Sequence, residues 1–318
     1  MAEAPDELLL ICADFNPALD LLRRLGLRLE TIYPADDPHS AVLTRDGMRV
    51  RLTSRPDAPP MPADLPLFLP EFLVTQAGAA SAEGRAGMRY RDLIPGRLGG
   101  RYIASHITIA EGGPVDDWVH FHRIAVQLIC VRKGWVRVVY EDQGPPFVMA
   151  AGDMVLQPPQ IRHRVLESSP GLEVVEITCP ALHETFADHD MALAGGRSDP
   201  ERLFRGQRFL HHVAAGSPWR AWHGAEAQLT RVRDASGGLV DARTLRPGPH
   251  PVIAVPPHDG ELAFGFVLEG SVRLEYGAVY ALGPADAFVI PPGEAWRMTD
   301  PSDDLRLLHV TTGALSGN

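Results

Sequence analysis

The sequence predicts a mainly β protein, with two β-barrels in one chain preceded by a small α+β unit of order strand, helix, strand, strand, strand. Three observations point there. From residue 88 to the end, short alternating apolar segments recur between Gly, Pro and Asp turns, the pattern of a sandwich or barrel. Their order occurs twice: apolar strand, Gly, strand, Gly/Ala-Asp turn, apolar triplet, Pro-Pro, strand, which is an internal duplication. The segment before residue 55 instead sets a leucine-rich helical pattern among strand-like runs, with Asp46-Gly47 as a hairpin signal.

The elements follow in order. Residues 7–13 (ELLLICA) read as a short buried strand. Phe15-Asn16-Pro17 opens a helix over 17–25, with Pro17 tolerated in the first turn, Leu19, Leu21, Leu22 and Leu25 on one side, and Gly26 at its end. Strands are expected at 27–33, 40–45 and 47–53. This order resembles one half of a glyoxalase-like (vicinal oxygen chelate) module. The segment lacks a metal-ligand set, so the resemblance implies scaffolding or dimerisation more than catalysis.

The proline-rich run 55–70 prefers extended conformations and reads as a linker or a strap. Residues 76–87 are small and polar, as in a loop. Strand-like segments then lie at 101–110, 118–131, 135–142, 147–157, 162–167 and 172–178, and a second set begins near 219. The expected units are 1–56, a linker over 57–87, a first barrel over 88–195 and a second over 196–318.

At 318 residues the chain exceeds one small domain, and 45% hydrophobic residues suffice for a sizeable core. A formal charge of −10 argues against nucleic acid and anionic membrane surfaces, which are bound through Lys/Arg excess. Cys12, Cys130 and Cys179 form no CxxC pair and read as reduced thiols. The first residues carry no basic region and their apolar run is too short to span a bilayer. A cytoplasmic homo-oligomer, a dimer in the simplest case, is expected.

The chemistry lies in His120-Phe121-His122, Gln127 and, after Pro158-Pro159, His163. Residues i and i+2 of a strand face one side, so His120 and His122 can share an interior with His163. Such a set suits Fe, Mn, Ni, Cu or Zn; the plainer alternative is an ordinary polar pair on a strand. The segment resembles the two signature motifs of the cupin superfamily at His120, His122, Gly134, Gly152, Pro158 and His163. It departs from them at Gly113, which lies one residue too far upstream, at Gln160 and Glu167, and at Gln127, which replaces the usual acidic ligand.

The resemblance implies a bicupin of two double-stranded β-helices. One divalent transition metal, Fe(II) first, would sit in the first barrel on His120, His122 and His163. Gln127 would be a fourth ligand or a hydrogen-bond partner behind them. With Gln there, the protein would contribute no charge, as in three-His cupin oxygenases, where an anionic substrate chelates the metal. Laid over the first barrel, the second offers Pro256, His258, Ala263, Gly270, Asp286, Pro291 and Trp296. Only His258 survives as a donor, so that barrel is structural or forms an apolar pocket around Trp296 and Phe264.

Arg162 and Arg101 are candidates for a substrate carboxylate. His106 is a candidate on the first barrel strand, and Tyr140, Glu141 and Glu176 are candidate proton carriers. His183 is expected outside the barrel. Three functions remain open: a dioxygenase-type oxidoreductase, an isomerase, lyase or hydrolase using the ion as Lewis acid, and a non-enzymatic binding protein.

Overall fold

The computed structural model describes residues 7–83, 88–193 and 198–315. The end of the expected 76–87 loop and the expected boundary between 195 and 196 lie outside the described residues. The N-terminal unit has the predicted order: Glu7–Ile11, the helix Phe15–Arg24, then Arg28–Tyr33, Ser40–Arg45 and Met48–Thr53. Asp46 and Gly47 both take positive φ, as a tight two-residue hairpin requires. Phe15, Ala18, Leu19 and Leu22 recur at helical spacing and pack on the sheet.

Two expectations fail here. Leu21 turns to solvent and Leu25 lies past the last helical turn, so both are half-exposed. The strand at residue 7 is not buried either. It is an edge strand, parallel to Met48–Thr53, with Leu8, Leu9 and Ile11 half-exposed and Glu7 bonded to Arg49 and Arg51.

Each barrel is a pair of antiparallel sheets. In the first, His120–His122, His163–Ser168, Trp135–Tyr140 and Phe147–Ala150 face a sheet of Met154–Leu156, Val126–Lys133, Leu172–Cys179, Ile103–Ile109 and Arg89–Asp92. The expected single segments 118–131 and 147–157 are each two strands, one in either sheet. Gly152, at positive φ, and Asp153, whose carboxylate accepts from the Ala150 N–H, make the second of these breaks.

The second barrel repeats the plan, with Val252–Val255, Trp296–Thr299, Val272–Tyr276 and Ala278–Leu282 in one sheet. Its other sheet includes Ala263–Glu269, Arg306–Thr312, Val240–Pro247 and Ala287–Ile290. The barrels also exchange strands. Leu73–Thr75, inside the expected linker, pairs with Ala287–Ile290, and Leu210–His212 pairs with Met154–Leu156.

Strand alternation explains how the barrels join. On Val126–Lys133, Val126, Leu128 and Cys130 point to a core shared between the barrels, whereas Ile129 and Val131 belong to the barrel interior. On Ala263–Glu269, Phe264, Phe266 and Leu268 meet the shared core from the other side. Arg101 and Tyr102 close the seam: Arg101 forks onto Glu261 at 2.7 and 2.8 Å, and the Tyr102 hydroxyl reaches Glu261 and Thr312.

One sheet runs beyond the first barrel. Thr185–Ala187 pairs with His120–His122 on one side and with Arg28–Tyr33 on the other. The N-terminal unit and the histidine strand are therefore parts of a single ten-stranded sheet. Among the described residues no helix is long and apolar enough to cross a membrane.

Candidate metal centre

His120, His122 and His163 come together at the inner wall of the first barrel. His120 lies directly opposite His163 in antiparallel register, and His122 follows two residues on, facing the same way. One donor nitrogen from each lies within 4.8 Å of the others. All three side chains are buried.

The orientation of each ring is set by a backbone carbonyl, which can only accept. His120 Nδ1 donates to the Trp118 oxygen at 2.7 Å, with an Asp117 carboxylate oxygen 3.6 Å away. His163 Nδ1 donates to Ile161 at 3.1 Å, and His122 Nδ1 donates to Glu184 at 3.3 Å beside the Thr185 hydroxyl. With every Nδ1 protonated, the Nε2 lone pairs are left as the ligating atoms. Three neutral imidazoles so fixed fit a divalent transition metal.

Gln127 stands beside this group, held by Gln157. The Gln157 amide donates to Gln127 Oε1 at 2.6 Å, and its nitrogen lies 3.2 Å from His163 Nε2. Tyr140 in turn donates to Gln157 Oε1 at 3.0 Å, and its ring stacks on His163. Burial, with a smaller contribution from Glu176, pushes the Tyr140 phenol well above its ordinary range, so it stays protonated and serves as a hydrogen-bond donor at physiological pH. These groups open on a cavity of about 90 Å³ whose other walls are largely Ile, Val, Leu and Met. Glu176 and Arg164 also line it.

Sequence reasoning did not single out Gln157 or the orienting carbonyls. Gln157 carries a local signal, since it is two residues beyond the interior-facing Val155 and just before Pro158. His183, expected outside the barrel, is buried with its ring edge-on to His122 at 5.2 Å. The chain returns after Cys179 to lay Thr185–Ala187 beside the histidine strand, which the segment's polarity does not reveal.

Four other candidates lie elsewhere. His106 faces the seam between the barrels, 2.9 Å from Glu173 and 3.3 Å from Arg91, because its strand position alternates away from the interior. Arg162 pairs with Asp188 at 2.9 Å over the Phe121 ring, outside the cavity wall. Arg101 is consumed by Glu261, and Glu141 accepts from Arg202 at 2.8 Å.

In the second barrel, register corrects the expected alignment by one residue. Val255, not Pro256, faces Trp296 as His120 faces His163. His258 is thus off the ligand position, and it donates from Nε2 to the Ile290 carbonyl at 3.0 Å. Trp296, Phe288, Met298 and Leu274 fill the interior. Phe264 points into the shared core, so it forms no pocket with Trp296. Gly265 faces His309 where Ile129 faces Glu176, so a buried imidazole replaces the cavity's carboxylate. Burial lowers His309 to about 3.

Comparison with known proteins agrees with this architecture. Residues 244–311 match the cupin domain family, in the barrel without the histidine triad. Comparison with curated proteins gives no match. Among solved structures, oxalate decarboxylase from Bacillus subtilis is similar at TM-score 0.53 and 10% identity, over 84% of this chain and 81% of that one. The putative glyoxylate-induced protein from Pseudomonas aeruginosa gives 0.57 and 12%, over 80% and 94%. Protein Ylba from E. coli gives 0.54 and 9%, over 79% and 94%. At these identities the likeness is one of fold. With paired barrels, a cupin-domain match over residues 244–311 in the second and a three-histidine site able to hold a divalent metal in the first, this chain has a two-barrel cupin fold.

Proposed function

We propose that the protein is a metal-dependent cupin enzyme, a non-haem Fe(II) dioxygenase-type oxidoreductase acting on a small anionic organic substrate. The observation that carries this is the donor set: three imidazoles aimed by backbone carbonyls, with the amide of Gln127 where an acidic ligand would stand. Such a set brings no negative charge, so a divalent ion keeps its full attraction for an anionic substrate. The ion supplies redox chemistry toward dioxygen and a Lewis-acidic position for the substrate's oxygens. The chain's own part is to hold the three lone pairs, to keep water out with apolar walls, and to set Tyr140 and Glu176 within the same cavity. A cavity of about 90 Å³ favours a substrate of few heavy atoms.

A second reading is lyase or isomerase chemistry with the ion as Lewis acid alone. It is favoured by the protonated Tyr140 phenol, a hydrogen-bond donor, and the carboxyl group of Glu176 beside the triad, and by the likeness in fold to oxalate decarboxylase. Oxygen consumption separates the two. Iron-loaded protein screened against small carboxylic and enolic acids should consume dioxygen with the substrate. Turnover at the same rate without dioxygen would favour the second reading. Absence of any turnover, with ligand variants indistinguishable from the parent, would leave a binding protein.

A further inference from the structure

A second concavity lies on the N-terminal part of the ten-stranded sheet, and no residue of the metal cavity lines it. One face of this part carries Leu29, Ile32, Leu43 and Leu52 onto the helix. The opposite face, bearing Leu9, Tyr33, Val42 and Arg51, forms one wall of the concavity, and the proline-rich strap at Pro59 to Met61 forms another. Between sheet and strap is a groove of about 470 Å³, against about 90 Å³ at the metal centre. That volume is within the range of small-molecule sites, roughly 300–1,000 Å³.

Two of the groove's polar groups, Arg51 and Arg55, are donors only. Arg51 bonds Glu7 through Nε at 2.6 Å, and Arg55 meets Asp37 through Nη1 at 2.8 Å. A guanidinium has five N–H groups, so each retains several for another partner. Among the described residues, His39 Nδ1 is buried without a hydrogen-bond partner. Glu184 is the one carboxylate among the described lining residues, and burial raises it above its ordinary value in spite of Arg123, Arg51 and Arg49 nearby. Excess donors beside Leu9, Val42, Pro59 and Met61 call for a ligand with an acceptor-rich anionic head and an apolar body.

We propose that this groove is a second ligand site, taking a small organic monocarboxylate whose head meets Arg51 and Arg55 and whose apolar body lies under the strap. The groove also adjoins the metal centre through one residue. Glu184 lines it, and its carbonyl accepts from His122.

The test uses 4-fluorobenzoate as probe, titrated by fluorine NMR into the full chain. The paired variant Arg51→Gln with Arg55→Gln should weaken binding at least about tenfold, the size expected for losing a charge-assisted contact. Met61→Asp, which places a negative charge on the strap, should weaken it similarly and guards against a misfolded arginine variant. His163→Ala should leave affinity unchanged, and neutral 4-fluorobenzamide should bind at least about tenfold more weakly than the acid. Binding that depends on His163 overturns the proposal, as does equal affinity for the amide. No binding, or binding indifferent to both Arg51→Gln with Arg55→Gln and Met61→Asp, also overturns it.

Discussion

Gln157 donates to Gln127 across 2.6 Å, and the same amide nitrogen lies 3.2 Å from His163 Nε2. An ion bound to His163 takes that lone pair, so the amide must then release it while keeping Gln127. Gln127→Glu preserves an acceptor for Gln157 and adds one negative charge. The variant should bind divalent metal at least as tightly and an anionic substrate more weakly. One unit charge about 4 Å away is worth on the order of 4 kcal/mol at an effective dielectric near 20, before desolvation and relaxation. The observed loss should be about one to two orders of magnitude in substrate affinity. Metal and substrate titrations on the parent, Gln127→Glu and Gln127→Ala decide it. Unchanged substrate affinity in the Glu variant removes charge from the argument.

His120→Ala with His122→Ala should abolish stoichiometric metal binding, because one imidazole cannot hold a divalent ion against water. Metal analysis after dialysis against a weak chelator reads this directly. A full equivalent retained by the double variant would refute the site. In the parent, metal-to-nitrogen distances should be about 2.0–2.2 Å.

The second barrel should hold no ion. Total metal should reach one equivalent per chain, and His258→Ala should leave it there. A second equivalent lost with His258 would contradict the filled interior around Trp296.

His309 predicts a pH effect. Folded, it stays neutral down to about 3, whereas unfolded it takes a proton below about 6.5. Between those values the unfolded state binds more protons, so stability falls as pH drops from about 6.5 toward 3. His309→Leu should narrow the difference in melting temperature between pH 4.5 and 7.5. An identical difference in both proteins would remove His309 as a contributor.

Arg101→Ala strands the Glu261 carboxylate in the seam, where its side chain is 13% exposed. Urea unfolding should show a loss of about 3–5 kcal/mol, and Arg101→Met with Glu261→Leu should cost less than the single change. A cost below that of a surface pair would show the seam to be wet.

The parts legible in the sequence are those that local chemistry determines. Asp46-Gly47 implies its hairpin, and the period of two puts His120 and His122 on one side. Long-range pairing is what stayed hidden. Nothing around Leu73 or Leu210 says that each adds to the other barrel's sheet. His183 reaches the triad only because the chain turns back along the histidine strand. The slip at His258 is one residue, yet in a strand one residue reverses the face. His106 and Arg162 lie away from the cavity for a related reason, since each has its charge partner, Glu173 or Asp188, on a segment distant in sequence.

The strand Thr185–Ala187, wedged between His120–His122 and Arg28–Tyr33, limits how this chain can be divided. A cut near residue 56 would look harmless from composition, yet it would leave that strand with a bare edge of unpaired amides and carbonyls. The carbonyl that aims His122 belongs to the residue just before that strand. The barrel that carries the histidines is therefore not a portable cassette: moved to another chain without the first fifty-odd residues, it would keep its three histidines but lose the strand that braces the wall aligning one of them.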